Sequence, residues 1–284
     1  MRFEFLLKNK HCYSISQGAK LLNVTRQGYY YWLTSRTSKR KLKHQFLTQQ
    51  IHRVYKQHRG NYGSPRIAQQ LYEEGIQTNK RVVAMLMQRA GLVARGYRKR
   101  TKSYGIKKPI EQYVKENILQ RHFHQETMDC IWVTDITYVP CRDGRIYLST
   151  YIDLTTRIPR CHQISTTMKQ ALVLQPLQLY QGKLPSVIHS DRGSVYTSHM
   201  YGDFLQAHQI EHSMSAPATP VDNAVIESFH RSIKRELIHP NRHKTKGEMK
   251  VLITNYINQY YIHDRIHTKF MMTPHQYQEQ FLQR

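Results

Sequence analysis

The run Ile131-Trp132-Val133-Thr134-Asp135-Ile136-Thr137-Tyr138-Val139 decides how the chain is to be read. Its β-branched and aromatic residues predict a strand, yet an acid stands in its middle. A carboxylate among apolar neighbours is costly unless something compensates its charge. Asp191 closes a second such run, Val187-Ile188-His189-Ser190-Asp191, and Arg192-Gly193-Ser194 follows at once. A third acid, Glu227, rides the helix-like segment Asp222-Asn223-Ala224-Val225-Ile226-Glu227-Ser228-Phe229-His230-Arg231, with thirty-five residues between it and Asp191.

Helical phase divides that last segment in two. Val225, Ile226, Phe229, Ile233 and Leu237 form an inward face, while Asn223, Glu227, Arg231 and Lys234 form a second stripe. An acid and a cation two turns apart on one face suit a substrate phosphate.

Around the first strand, Arg142-Asp143-Gly144 signals a hairpin between Ile131–Val139 and Arg145–Leu154. A third strand is expected from Ile158 to Ile164, after the Thr155-Thr156-Arg157 turn. Met168 to Tyr180 reads as an amphipathic helix and Ser186–His189 as a short buried strand. Three meandering strands, a helix, a strand and further helices describe a mixed α/β layer. Simple pairing about Asp143-Gly144 sets Ile152 opposite Asp135, which leaves Asp153 a structural role.

Charge separates this part from what precedes it. The chain of 284 residues carries a net charge of +24, from 43 Lys/Arg and 19 Asp/Glu. Residues 1–110 hold 24 of the basic side chains against only Glu4, Glu73 and Glu74, and the rest of the chain holds 19 against 16. Such asymmetry is an electrostatic footprint for nucleic acid. The first part is therefore expected to hold DNA and the second to do chemistry.

Within residues 1–43, Ser14 to Trp32 has a helix-turn-helix rhythm, broken at Asn23-Val24, with Arg26, Gln27 and Tyr29 opening the second helix. A basic stretch, Arg36 to Lys43, leads to a helical block over residues 44–94. There Phe46–His58, Arg66–Glu74 and a helix capped by Thr78 or Asn79 follow one another, separated by glycines. Val82, Val83, Leu86 and Met87 form the apolar face of the last helix, leaving Lys80 and Arg81 for phosphates or base edges. Residues 95–124 are expected to form a basic linker, including Arg98, Lys99 and Arg100, and a connecting helix from Glu111 to Gln120. The catalytic part is then 125–284.

No run approaches the ~18 apolar residues of a membrane span, and Phe5-Leu6-Leu7 is too short for a signal peptide. The reading is a cytoplasmic, nucleoid-associated protein. Four cysteines show no disulfide framework, and His122, His124, Cys130 and Cys141 match no common zinc spacing.

Chemistry at a phosphodiester needs an activated oxygen nucleophile, a stabilised leaving oxygen and charge relief. Two Mg²⁺ ions ~3.5–4 Å apart supply all three, and carboxylates hold such hard cations. Asp135, Asp191 and Glu227, set in a basic chain, are the candidates for that shared site.

At this point the chain resembles a known family. Trp132-x-x-Asp135-x-Thr137-Tyr138, His189-Ser190-Asp191-Arg192-Gly193-Ser194-x-Tyr196 and Asp222-Asn223-Ala224-x-x-Glu227-Ser228-Phe229 resemble the catalytic core of bacterial insertion-sequence transposases. The likeness is to the OrfB type of the IS-three group, within the retroviral-integrase superfamily. Lys234, Tyr261, Arg265-x-His267, Thr273-Pro274 and, upstream, Tyr62-Gly63-x-x-Arg66-Ile67 extend the match. Val195 departs from the glutamine expected at its position.

The resemblance implies an RNase H-like core preceded by a small all-α, helix-turn-helix-type region. It implies Asp135, Asp191 and Glu227 as ligands of two Mg²⁺ (or Mn²⁺) ions, and Lys234, with Arg231 and Asn223 on its stripe, as DNA contacts. The implied reaction is cleavage of the element's ends, then attack of the freed 3′-hydroxyl on target DNA. The implied partners are terminal inverted repeats, target DNA, further copies of this chain, and an upstream OrfA-type product as fusion or partner. Whether the chain is the whole enzyme or its catalytic half is left open. The competing readings are an RNase H-like nuclease and a catalytically silent DNA-binding regulator derived from a transposase.

Overall fold

The structure is a computed structural model in which residues 2–36, 38–95, 115–120, 127–216 and 223–283 are described. The chain divides into two compact units, Met1–Ala94 and Arg95–Arg284.

The first unit is helical. α1 (Arg2–Lys8), α2 (Ile15–Leu21) and α3 (Arg26–Arg36) share a small core of Leu6, Ala19 and Tyr29, with Phe3 and Trp32 packed against it. Ser14 and Gln17 form a capping box that starts α2, and the Thr25 hydroxyl accepts from the Gly28 N–H to start α3. Tyr29 is therefore core, whereas Arg26 is exposed.

α4 (Lys39–Gln57) begins inside the stretch expected to link the two helical blocks, because Ser38 caps it. α5 (Ser64–Glu73) carries Pro65 in its first turn, and Gly63 holds the N-cap position. α6 (Lys80–Arg89) is started by Asn79, whose side chain accepts from the N–H groups of Arg81 and Val82. Both α5 and α6 end before a left-handed glycine, Gly75 (φ 79°) and Gly91 (φ 66°), a conformation that side chains with a Cβ resist.

The second unit is built on a five-stranded sheet. Its strands are β1 (Ile131–Cys141), β2 (Gly144–Asp153), β3 (Pro159–Ser165), β4 (Val187–Ser190) and β5 (Glu211–Met214), in the order β3-β2-β1-β4-β5. The first three form an antiparallel meander; β4 joins β1 and β5 joins β4 in parallel. α7 (Ala171–Gln178) and α8 (His199–Ala207) make the crossovers, and α9 (Ala224–Ile233), α10 (Lys246–Asn255) and α11 (Pro274–Leu282) complete the layer. This is the expected RNase H-like arrangement. Residues 115–120 form bends and a turn rather than the expected end of a connecting helix, and 111–114 lie outside the described residues.

The hairpin register differs from the sequence reading. Cys141 pairs with Gly144, so the loop is Arg142-Asp143 and Asp135 faces Thr150 instead of Ile152. The loop is set by contacts to a distant segment. The Arg142 N–H donates to the Lys244 carbonyl at 2.8 Å, and the Asp143 carboxylate accepts from the Lys246 N–H at 2.8 Å. A shift of two residues keeps every side chain on its face. Asp153 is fully buried opposite Trp132 and accepts from the Asp129 N–H, the Thr156 N–H and the Thr156 hydroxyl. Its carboxylate closes the turn into β3.

On one side of the sheet, Val133, Ile146, Leu148 and Ile152 meet Ile226, Phe229 and Ile233 of α9 and Ile253 of α10. On the other, Trp132, Tyr151 and Ile188 meet Val173, Leu177, Tyr201 and Leu205. Beyond Ile233 the chain continues as a π-helical turn, Lys234–Ile238, which buries Glu236. Arg265 reaches that carboxylate with two bonds of 2.8 Å, and the Tyr256 hydroxyl adds a third at 2.8 Å. Removing one partner of a buried pair leaves an uncompensated charge. Arg265→Met is therefore expected to cost about 3–5 kcal/mol in urea unfolding, and Glu236→Leu, Arg265→Met together to recover most of it. A single variant as stable as the parent would show that the pair does not anchor this layer.

Candidate active site

The parallel pairing of β1 with β4 places the first two acids. Val133 lies beside His189, so Asp135 and Asp191 each stand two residues further along neighbouring strands. Equal offset puts both side chains on the same face, about one strand spacing apart in the sheet. Asp191 follows the end of β4, where the turn begins, and its Oδ1 accepts from the Gly193 N–H at 2.9 Å.

Glu227 comes from the first turn of α9, which approaches β1 through its N-terminal residue. Asn223 is 6% exposed, and its Nδ2 donates to the Thr134 carbonyl at 3.1 Å. Thr134 Oγ1 in turn lies 3.0 Å from the Tyr196 hydroxyl. These bonds tie the helix, β1 and the turn after β4 together at the residue preceding Asp135. Asn223 thus sits at the base of its stripe as a brace between the helix and β1.

The structure adds a residue that the sequence reading did not assign. His230 is 5% exposed, and its Nδ1 lies 3.3 Å from Asp135 Oδ2. Its place one turn beyond Glu227 was a usable signal, since positions three apart share a helix face. Asp135 Oδ1 is also held, by the Ile136 N–H at 2.8 Å.

Electrostatics mark the acids as a group. Although Asp191 as a residue is exposed, protein walls in its carboxyl, and this desolvation pushes its pKa up to about 6. The Asp135 carboxylate adds to the rise and the Gly193 N–H opposes it. Burial also raises Glu227; Arg231 pulls it down, Asp135 raises it and His230 lowers it. Both flanking acids thus feel the central one. Lys234 lies 4.8 Å from the centre of the Tyr138 ring, and burial lowers its pKa while Asp135 raises it. Arg231 is exposed one turn beyond Glu227.

Among the described residues, no three His, Cys, Asp or Glu side chains are gathered closely enough to hold one metal ion. Carboxylates repel one another unless a cation joins them, and here His230 occupies one side of Asp135. The donor set nonetheless fits a hard divalent cation: it consists of carboxylate oxygens, and one of them is charged only at a cost.

Elsewhere, Arg26, Lys80 and Arg81 are exposed on α3 and α6 of the first unit. Arg98, Lys99 and Arg100, and the histidines of the rejected zinc set, lie outside the described residues. Val195 is buried in the core beside Tyr196. A groove of about 840 Å³ in the first unit is lined by Arg40, Lys41 and His44 of α4 and Arg89 of α6.

The three acids thus come from the central strand, the end of its parallel neighbour and a helix later in the chain. Family models described as "Integrase core domain" match residues 126–220 and 208–274, and one described as "HTH-like domain" matches 41–101. The transposase for insertion sequence element IS904 of Lactococcus lactis is 34% identical over 237 residues, 82% of this chain and 93% of that protein. Transposase InsF for insertion sequence IS3A of Escherichia coli is 32% identical over 278 residues, 94% of each chain. Among solved structures, the HTLV-2 integrase catalytic core domain in complex with magnesium is 16% identical, covering 52% of this chain and 95% of that one, with a TM-score of 0.38.

The chain belongs to the insertion-sequence transposase family of IS904 and IS3. It is a DNA-binding transposase of the DDE type, which sets aside the nuclease and silent-regulator readings. No helix of the described residues is long and apolar enough to cross a membrane.

The raised pKa of Asp191 has a definite sign. Its neutral form is favoured in the fold, so the associated stability is fully present below the ordinary 3.8 and is lost as pH rises through about 6. Thermal melts in chelator should therefore show the wild type falling behind Asp191→Asn between pH 4 and pH 7. Parallel pH profiles for the two proteins would refute the burial of this carboxyl.

Proposed function

We propose that the enzyme cleaves the ends of its element and joins the freed 3′-hydroxyl to target DNA, with Asp135, Asp191 and Glu227 as its metal ligands. The observation that carries the assignment is the equal offset of Asp135 on β1 and Asp191 just past β4 from the paired Val133 and His189, with Glu227 electrostatically coupled to the same Asp135. Two Mg²⁺ or Mn²⁺ ions bound by these acids would supply the activated oxygen nucleophile and the charge relief at the leaving oxygen.

The remaining side chains position and neutralise. His230 orients Asp135 through the contact to Oδ2, so that the carboxylate presents its outer lone pairs. Asn223 holds the start of α9 against β1, which keeps Glu227 at the sheet. Lys234 and Arg231, on the open side of the helix, take the phosphates of the reacting strand. Lys234 is suited to this because its ammonium is partly desolvated beside Tyr138.

Binding to the element's terminal inverted repeats falls to the upstream residues. Arg26 on α3 and Lys80 and Arg81 at the start of α6 are the proposed contacts, with the basic groove between α4 and α6 as a backbone track. Arg98, Lys99 and Arg100 are proposed to follow the backbone between the two functions. In this reading residues 1–43 and 44–94 grip DNA, 95–124 connect, and 125–284 catalyse. Working copies assemble as a homo-oligomer on nucleoid DNA, with an OrfA-type product as a fusion or partner.

Asp135→Asn, Asp191→Asn and Glu227→Gln are each expected to lower cleavage and strand transfer by roughly a thousandfold or more, since several kcal/mol of transition-state stabilisation would be lost. Terminal-repeat DNA and Mn²⁺ make the assay, and gel-shift affinity should stay within a few-fold. Unimpaired strand transfer by Asp191→Asn would overturn the metal assignment. Separately, Lys80→Gln with Arg81→Gln should flatten the salt dependence of duplex binding by about 0.9 for each phosphate no longer neutralised, leaving the chemistry of bound DNA intact. An unchanged slope would remove α6 from the interface.

A further inference from the structure

Behind the acidic stripe, α9 presents a third set of side chains. Ala224, Ser228 and Ser232, spaced four apart, line one wall of a cavity of about 270 Å³. Successive residues turn about 100° around a helix, so this wall stands roughly a quarter turn from Glu227. The cavity is also lined by Arg157, from the turn between β2 and β3, and by His267 and Lys269, from the segment after the second π-helical turn (Tyr256–Asp264). Ile152, Phe229 and Tyr261 are among the apolar residues of the lining.

Among the described residues, the lining contains no acid. The composition of the chain does not explain this, because residues after 110 are nearly balanced, at 19 basic against 16 acidic. Two of the cations are close enough to disfavour each other: Lys269 is pushed below its ordinary range by burial and then by Arg157. Arg157 is 5% exposed and sits at φ 64°, a left-handed conformation that costs a residue with a Cβ. Asp153, whose charge reaches it, accepts hydrogen bonds from the Asp129 N–H, the Thr156 N–H and the Thr156 hydroxyl. The Ser232 hydroxyl accepts from Arg265 at 3.0 Å and so keeps its own proton to donate. Ser228 and Lys269 are exposed at the mouth, so the cavity opens to solvent. Crowded cations, hydroxyl donors and an open mouth are what a singly or doubly charged oxyanion needs.

We infer that this cavity binds a phosphate group, and that the group is a backbone phosphodiester of the DNA strand that passes Glu227. The inference rests on the strand-transferase reading, since it is the reacting DNA that brings a phosphate within a quarter turn of that helix. The site would lock the strand to α9 from a face about a quarter turn from the acids and set the register of the scissile bond.

The test uses the full chain, in chelator, binding a terminal-repeat duplex over a range of salt concentrations. Lys269 is exposed, so Lys269→Gln avoids the folding risk of replacing buried Arg157, and a thermal melt checks it. The expected result is a salt slope shallower by about 0.9, the change expected when one phosphate is no longer neutralised. Lys250→Gln, an exposed change of equal charge on α10, should leave the slope unchanged. Inorganic phosphate should compete with the duplex more strongly in the wild type than in Lys269→Gln. An unchanged slope together with unchanged phosphate competition in Lys269→Gln, or an equal slope change in Lys250→Gln, overturns the site. Phosphate binding abolished in Lys269→Gln without any change in DNA slope overturns the assignment to DNA. Cleavage by the same preparations, abolished in Asp191→Asn, keeps failure here distinct from failure of the strand-transferase reading.

Discussion

The catalytic unit depends on the parallel ladder between β1 and β4. Because Val133 is paired with His189, Asp135 and Asp191 emerge at the same level and on the same face. A slip of one residue would turn one carboxylate toward the opposite core. The register is held by what surrounds it. Trp132 and Ile188 are fully buried on one side and Val133 on the other, so neither strand can shift without exposing a large apolar side chain.

The third acid is brought to the pair by polar contacts concentrated on two residues of β1. Asn223 bonds the Thr134 carbonyl, the Tyr196 hydroxyl meets the Thr134 hydroxyl, and His230 meets Asp135. The apolar face of α9 fixes its distance from the sheet, and the buried Glu236–Arg265 pair locks the turn that follows. The helix therefore serves three surroundings at once: Ile226, Phe229 and Ile233 face the core, Glu227 and Lys234 the acids, and Ser228 and Ser232 a basic cavity. A single helix can do this because its side chains leave the axis in all directions, each stripe repeating every three to four residues.

Much of this was legible beforehand. The inward face of α9 follows from its apolar period, and Val225 alone is only partly buried. Asn79 and Ser14 cap helices as their residue types suggest. β5 escaped notice because Glu211-His212-Ser213-Met214 is short and has no β-branched residue; only its neighbour β4 makes it a strand. The hairpin was set two residues out because Arg142 and Asp143 bond to residues a hundred positions away, and turn propensity is silent about such partners.

By itself the sequence determined the local periods, the caps, the uneven distribution of charge and the identity of three acids set in unlike surroundings. These are properties of neighbours along the chain, where side-chain period and backbone preference act directly. Only the tertiary structure decided that Asp135 and Asp191 share a level, that Asn223 is a brace and His230 a partner of Asp135, and that Arg157 and Lys269 face one cavity. Those relations join segments far apart in the chain. They are settled when apolar faces from distant segments bury one another, and no short-range preference specifies the register in which they do so.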